Sequence, residues 1–302
     1  MKERIDETTL RRILQEAMPG RETHLQSIHF PRGGYIKTAA HVIFDDTSES
    51  IIIAAGSRPR HARDFARAAL VTRLYEQHAI PAPAILVAPA QLPGTPIHYY
   101  IQRFQPGAPS PFPNHAQLHE IGRYMARIHR IPLTDAERET ITPPLTTHRS
   151  LDYQRLADLG LPRGLTHGDI FPMNLLFDPA SGQLTSFIDL DEAEYVALLK
   201  DIAKATYGFC ARADDFTLDL GALHAMLEGY QTIRPLSVLE RNHFPEILAS
   251  FAERLPGRYL AWTNRPDLFD DPYETPFIRS VPQRTAQFLR QLPTLSAQQL
   301  LP

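Results

Sequence analysis

Asp169 stands two residues after His167 and five before Asn174 in the stretch LTHGDIFPMNLLFDPASGQLTSFIDLDEA, which carries a further aspartate, Asp189, toward its end. These residue types suit one chemistry in particular. Phosphoryl transfer asks a protein to orient a hydroxyl nucleophile and to hold magnesium on the phosphates. A carboxylate at Asp169 would accept or orient the hydroxyl proton, while the amide oxygen of Asn174 and the carboxylate of Asp189 are hard ligands suited to Mg²⁺. Asn174 leads into the short strand LLF, the turn Asp178-Pro179-Ala180-Ser181-Gly182 follows, and the return strand LTSFID ends at Asp189. An antiparallel return brings Asp189 back to the end of the ladder that Asn174 left. His167, Asp169 and Asn174 are therefore the catalytic candidates, and Asn174, Asp189 and Asp191 the metal candidates. Taken singly, HGD and DLD would be polar turns at strand ends; the hairpin and the second carboxylate, in this order, favour a phosphotransferase site.

The rest of the chain must build the frame. At 302 residues and 43% apolar it is long enough for a sizeable core or for two packed lobes. Leu10, Ile13, Leu14 and Ala17 fall at helical spacing behind Thr8 and Thr9 as caps, which predicts a short amphipathic helix over 6–18. From Ser27 to Ala55 the pattern is antiparallel strands: a first strand, the pair Gly33-Gly34, the run AAHVIF, the turn Asp45-Asp46-Thr47-Ser48, then SIIIAA. A helix over 61–78, carrying Phe65, Ala69, Leu70, Leu74 and Tyr75, should stop before Pro81-Ala82-Pro83. Two more strands, AILVA and IHYYIQRF, precede Gln105-Pro106-Gly107-Ala108-Pro109, and beyond that break the chain is mostly helical. Leu118, Ile121, Met125, Ile128 and His129 share one helix face, with further helices expected near 198–212, 217–231, 237–262 and 281–292. The expected organisation is α+β: a small antiparallel-sheet lobe over 1–104 that binds nucleotide, and a larger, mainly helical lobe over 105–302 for catalysis and the acceptor.

Composition removes several classes. A formal charge of −3 and no long run of like charge give no basic footprint for nucleic acid. The single cysteine, Cys210, makes neither an internal disulfide nor a multi-cysteine zinc site, which points to a reducing cytoplasm. No apolar run approaches the roughly 18 residues of a membrane span, and the charged N-terminus lacks the apolar core of a leader, so no membrane partner is expected. The 13 histidines form no HExxH or comparable pair, and GxSxG is absent. The 27 prolines lie between apolar periodic segments and read as punctuation of loops and helix ends.

The order His167, Asp169, Asn174, Asp189 corresponds to the kinase pattern H-R-D-x-x-x-x-N followed by a metal-binding aspartate. With glycine in the second place, HGDxxxxN resembles the aminoglycoside phosphotransferase and choline kinase superfamily. Within it, LPRGLTHGDIFPMNLLFD, SFID, GYQTIRPLSVLER and DDPYE are most similar to type II homoserine kinases. The likeness covers residues 30–290 in outline and is most specific over 161–191. It implies a two-lobed protein-kinase-like fold, ATP as phosphate donor, Asp169 as catalytic base, and Asn174 and Asp189 as Mg²⁺ ligands. The implied activity is phosphorylation of an amino alcohol, homoserine first. An aminoglycoside or choline-type acceptor, and a nucleotide-binding pseudokinase acting through a partner, are the alternatives.

Two stretches depart from the homoserine kinase pattern. Those enzymes usually carry alanine where this chain has Gly168, and IDFYFA where it has IDLDEA, so Asp191 either assists a second metal or is a solvated carboxylate. SIIIAAG offers alanine where a protein kinase has its strand lysine, and Arg67 stands near the place of that lysine's glutamate partner. Type II homoserine kinases also lack the strand lysine. Lys37, Arg58 and Arg60 are candidates for the missing charge, and Gly33 and Gly34 would let backbone approach phosphate, although the same pair would serve an ordinary hairpin turn. Gln102 and Phe104, in Gln102-Arg103-Phe104, lie where the lobes would join and backbone would meet adenine. Asp201 is expected to brace the catalytic loop, His129 to be a satisfied core residue, and Asp270, Asp271 and Glu274 to form an acidic loop or line the acceptor pocket.

Overall fold

Asp6 opens the first helix, α1 (Glu7–Ala17), its carboxylate accepting the N–H of Thr9 at 2.8 Å. The cap is therefore Asp6, and Thr8 and Thr9 fall inside the first turn. The computed structural model describes residues 5–30, 37–46, 49–142, 159–263 and 274–301. Five strands follow α1 in sequence: β1 (Leu25–His29), β2 (Thr38–Phe44), β3 (Ser50–Gly56), β4 (Ile85–Gln91) and β5 (His98–Arg103). They form one antiparallel sheet in the order β1-β2-β3-β5-β4. Period-2 alternation gives this sheet two apolar faces. Val42, Phe44, Ile51, Ile53 and Ile101 turn outward and are sealed by Leu10, Ile13 and Leu14 of α1. Ala54 and Tyr100 turn inward, toward helix α2 (Arg60–Gln77) between β3 and β4, whose Phe65, Val71, Leu74 and Tyr75 are buried. Each such side chain contributes about 1.5–3 kcal/mol on burial.

The second lobe begins with β6 (Ala108–Pro109), α3 (His115–His129) and α4 (Asp135–Ile141), the last unanticipated in the sequence. Its helices are α5 (Leu199–Phe209), α6 (Leu220–Gln231), α7 (Val238–Thr263), α8 (Glu274–Gln291) and the short α9 (Ala297–Leu300). α3 and α6 cross closely because Gly122 lacks a side chain: a Cβ there would lie 2.0 Å from the carbonyl oxygen of Met226. One apolar core runs from α2 into this lobe, with Tyr75 and Tyr124 both edge-on to Phe187.

Two short ladders interrupt the helices. The hairpin of β8 (Leu175–Phe177) and β9 (Leu184–Phe187) pairs Leu175 with Phe187, and β6 joins its other edge. β7 (Arg163–Thr166) and β10 (Glu194–Ala197) pair Thr166 with Glu194. The residues of chemical interest follow directly from these strand ends. No helix among the described residues is long and apolar enough to cross a membrane.

Candidate active site

The loop from His167 to Asn174 leaves β7 and enters β8, and its backbone is held from behind by a buried carboxylate. Asp201, in the first turn of α5 and 1% exposed, accepts the N–H of His167 at 2.6 Å and that of Gly168 at 3.1 Å. Asp201 is itself backed by His129, whose Nε2 lies 3.5 Å from its Oδ2 and whose Nδ1 lies 2.7 Å from the Tyr230 hydroxyl. Arg234 donates to that hydroxyl at 2.9 Å and pairs with the buried Glu240 at 2.9 Å. The GYQTIRPLSVLER stretch is thus the far end of a polar chain that terminates on the His167–Asn174 loop. The geometry agrees with the bracing expected of Asp201 and with a core role for His129. His167 is fully buried, its Nδ1 accepting the N–H of Asp169 at 3.2 Å, so it acts on the loop and not on the cleft.

Gly168 sits at φ +78°, and a Cβ there would come within 1.8 Å of the Glu192 carbonyl oxygen. The departure from alanine at this position has a physical cause, because a side chain would require the Glu192–Ala193 backbone to move. Gly168→Ala is expected to cost about 3 kcal/mol or more, from left-handed strain plus overpacking against backbone. Urea unfolding of the variant checks this; a loss under about 1 kcal/mol would mean that the loop accommodates a side chain.

Asp169 is partly exposed, at 21% of its side chain, and both carboxylate oxygens are held. Oδ2 accepts from Nδ2 of Asn174 at 2.8 Å, and the same nitrogen reaches the Asp169 carbonyl at 2.8 Å. Oδ1 accepts from Nζ of Lys204 at 2.5 Å. Across the hairpin, the N–H of Ile188 donates to the Asn174 carbonyl at 2.9 Å, which sets Asp189 beside Asn174 as the ladder geometry requires.

Asp189 adopts a left-handed conformation, φ 63° and ψ 54°, that aspartate tolerates better than most residues. Lys37, at the entry to β2, forms ion pairs with Asp189 and, at 2.6 Å, with Asp191. Burial opposes its charge, but the two carboxylates prevail and raise its pKa well above the ordinary lysine value. Burial also works against ionised Asp189, which Lys37 nevertheless holds below the usual carboxylate range. Asp191 is pushed up to about 8, by burial first and by Asp189 beside it, against the pull of Lys37. Arg67 of α2 donates to the Asp191 carbonyl at 2.7 Å. Arg67 thus ties α2 to the segment carrying Asp189 and Asp191 through its backbone. Asp189, Asp191 and the amide oxygen of Asn174 are the hard-oxygen set that Mg²⁺ prefers, and the two carboxylates already gather a cation in Lys37. The residues fit the metal.

Of the three cations considered for phosphate, Lys37 is the one brought to these carboxylates; Arg60 instead lies 3.8 Å from Asp64. Gly33, Gly34, Asp270 and Asp271 lie outside the described residues. At the lobe junction Phe104 stacks on His41 of β2, with centroids 4.0 Å apart and planes inclined by 13°, and Gln102 is half-buried next to it on β5. The sequence did not disclose Lys204, His41 or the use of Arg67. Asp201 and Lys204 are one turn apart on a mostly apolar helix, and that spacing was the available signal for Lys204.

Burial holds His129 and His167 below the ordinary imidazole value, so both stay neutral in the fold near neutrality. Their contribution to stability is present above the unfolded value of about 6.5 and is lost as pH falls through the folded one. Asp191 has the opposite sign, stabilising below its unfolded value and losing that contribution as pH rises through about 8. The histidine effect is therefore read as a difference. Between about pH 7 and pH 5, wild-type protein should lose about 2 °C more in Tm than His129→Gln. Parallel melting curves would remove His129 from the account.

The two-lobed fold is kinase-like, and comparison with known proteins agrees. Residues 147–236 match the phosphotransferase enzyme family. The chain is 37% identical over 107 residues to a homoserine kinase of Gluconacetobacter diazotrophicus, covering 35% of this chain and 32% of that one. It is 30% identical over 174 residues to a homoserine kinase of Gluconobacter oxydans, covering 49% and 54%. These matches span about a third and just over half of the relatives' lengths. A solved spectinomycin phosphotransferase, in complex with ADP and spectinomycin, shares the fold with a TM-score of 0.65 at 13% identity, covering 97% of this chain and all of that one. The resemblance to the aminoglycoside phosphotransferase and choline kinase superfamily, with homoserine kinases among the relatives, therefore holds.

Proposed function

We propose that this protein is an ATP-dependent kinase that transfers the γ-phosphoryl group to the hydroxyl of an amino alcohol, with homoserine the favoured acceptor. The observation that carries the reading is the convergence of Asp169, Asn174 and Asp189 at one end of the β8–β9 hairpin. The homoserine kinase relatives support the acceptor. Residues 1–104 form the nucleotide lobe and 105–302 the catalytic and acceptor lobe. Gln102 and Phe104 face adenine, Gly33 and Gly34 belong to the phosphate loop, and Lys37 supplies the positive charge that the sheet lacks. Asn174, Asp189 and Asp191 hold Mg²⁺, which when bound neutralises phosphate charge. The acceptor oxygen forms its bond to the γ-phosphorus as the bond to the ADP oxygen breaks, and the hydroxyl proton passes to Asp169. His167 and Asn174 keep Asp169 in place during this step. A cytoplasmic setting, where ATP and Mg²⁺ are both supplied, suits the reaction.

The test is ATP consumption and product phosphorylation with Mg²⁺ and, separately, L-homoserine, choline and kanamycin. Homoserine phosphate as the main product supports the reading. Preference for kanamycin or choline moves the acceptor, and ATP binding without transfer to any of them supports the pseudokinase.

A further inference from the structure

Lys204 is 2% exposed, on the second turn of α5, a helix buried at every position but Lys200. A buried ammonium is costly unless paired, so its partners report why it is there. Its Nζ donates to the Gly168 carbonyl at 2.5 Å and to Oδ1 of Asp169 at 2.5 Å, with the Phe171 ring centroid 4.9 Å away. The loop between Asp169 and Asn174 reads Ile170, Phe171, Pro172, Met173 and contains no cation of its own. The charge next to the base comes from the following helix instead. One turn before it, Asp201 takes the N–H groups of His167 and Gly168. α5 thus presents an anion to the loop's donors and a cation to its acceptors, holding Gly168 by both its N–H and its carbonyl.

We infer that Lys204 is a positioning residue for the phosphotransfer: it locks the Asp169 carboxylate, through Oδ1, in the orientation that meets the acceptor hydroxyl. The inference rests on the reading of Asp169 given above. Asn174 holds one carboxylate oxygen and Lys204 the other, so the two together set the carboxylate about its last torsion. Lys204 acts through Asp169, so its loss should appear in turnover and leave nucleotide binding alone.

The experiment is a double-mutant cycle on the full chain. Wild type, Lys204→Met, Asp169→Asn and the double variant are assayed for MgATP turnover with L-homoserine, choline and kanamycin, for ATP affinity, and for Tm. The expected result is a fall in kcat of about 10²-fold for Lys204→Met, the scale on which misplacement of a reacting group acts, with KM for ATP within about twofold. In the Asp169→Asn background the same change should cost less than about threefold, since the group it positions is gone. Equal losses in both backgrounds, unchanged kcat, or a loss confined to KM for ATP would overturn the positioning role. Failure of the underlying reading looks different: Asp169→Asn alone would then retain its turnover, or wild type would phosphorylate none of the acceptors. In the inactive case the Tm cycle decides. Non-additive losses support the coupling of Lys204 to Asp169, and additive losses sink it.

Discussion

Asp169→Asn should lower turnover by about 10³-fold while leaving the folded protein and its ATP affinity intact, because a positioned general base is worth 10²–10⁴-fold and asparagine cannot take the proton. The substitution is close to isosteric, which isolates the chemistry. The amide oxygen of the new residue can still accept from Lys204, where the carboxylate now accepts at 2.5 Å. Its amide nitrogen would face Nδ2 of Asn174, replacing a 2.8 Å hydrogen bond by two opposed donors. That contact is partly exposed, so the loop pays little for it, and the remaining supports from Asp201 and His167 do not involve the side chain of Asp169. Steady-state kcat with the best acceptor measures the first effect and Tm controls for the second. Retention of more than a tenth of wild-type kcat would show that phosphoryl transfer here proceeds without a base at this position.

The parts of this site that were legible in the sequence are those written locally. Asp169, Asn174 and Asp189 lie within one loop and one hairpin, and strand alternation with a turn between suffices to bring their ends together. The sheet lobe was legible for the same reason, since β2, β3 and β5 carry β-branched or aromatic runs between turn residues. What could not be read depends on long-range register. Lys204 meets Asp169 across 35 residues of chain, and Lys37 meets Asp189 across 152. A helical pattern says that Lys204 is on a face, and not which loop that face covers. Arg67 stood as a missing glutamate until the structure gave its partner, a backbone carbonyl that carries no sequence signal. β7 and β10 are four residues each and pair across an intervening hairpin, too short for a pattern and too distant for a turn. The GYQTIRPLSVLER stretch was visible as a likeness but had no chemistry until Tyr230 and Arg234 were seen to stand behind His129 and Asp201.

The second large effect concerns Asp189, and the choice of substitution decides what is learned. Asp189→Ala removes a ligand and also places a residue with little tolerance for left-handed backbone at φ 63°, adding about 1–2 kcal/mol of strain that has no bearing on metal. Asp189→Asn keeps a side chain suited to that conformation and deletes only the charge. In the absence of metal the change should be mild, because Lys37 can turn wholly to Asp191, whose raised pKa of about 8 owes part of its height to Asp189. Asp191 would then ionise more readily, and Tm should stay within a few degrees of wild type. With MgATP the balance reverses. Outer partners of a metal ligand are worth 10–100-fold in affinity or activity, and Asp189 is proposed as a direct ligand, so the Mg²⁺ concentration for half-maximal turnover should rise by roughly 10²-fold or more. A magnesium titration at fixed ATP measures it. An unshifted titration would leave the acidic pair as a structural anchor for Lys37, and the metal would have to be held by the phosphates and Asn174. A shift without a matching fall in Tm instead separates metal binding from folding at this residue, and it does so without disturbing the loop that holds Asp169.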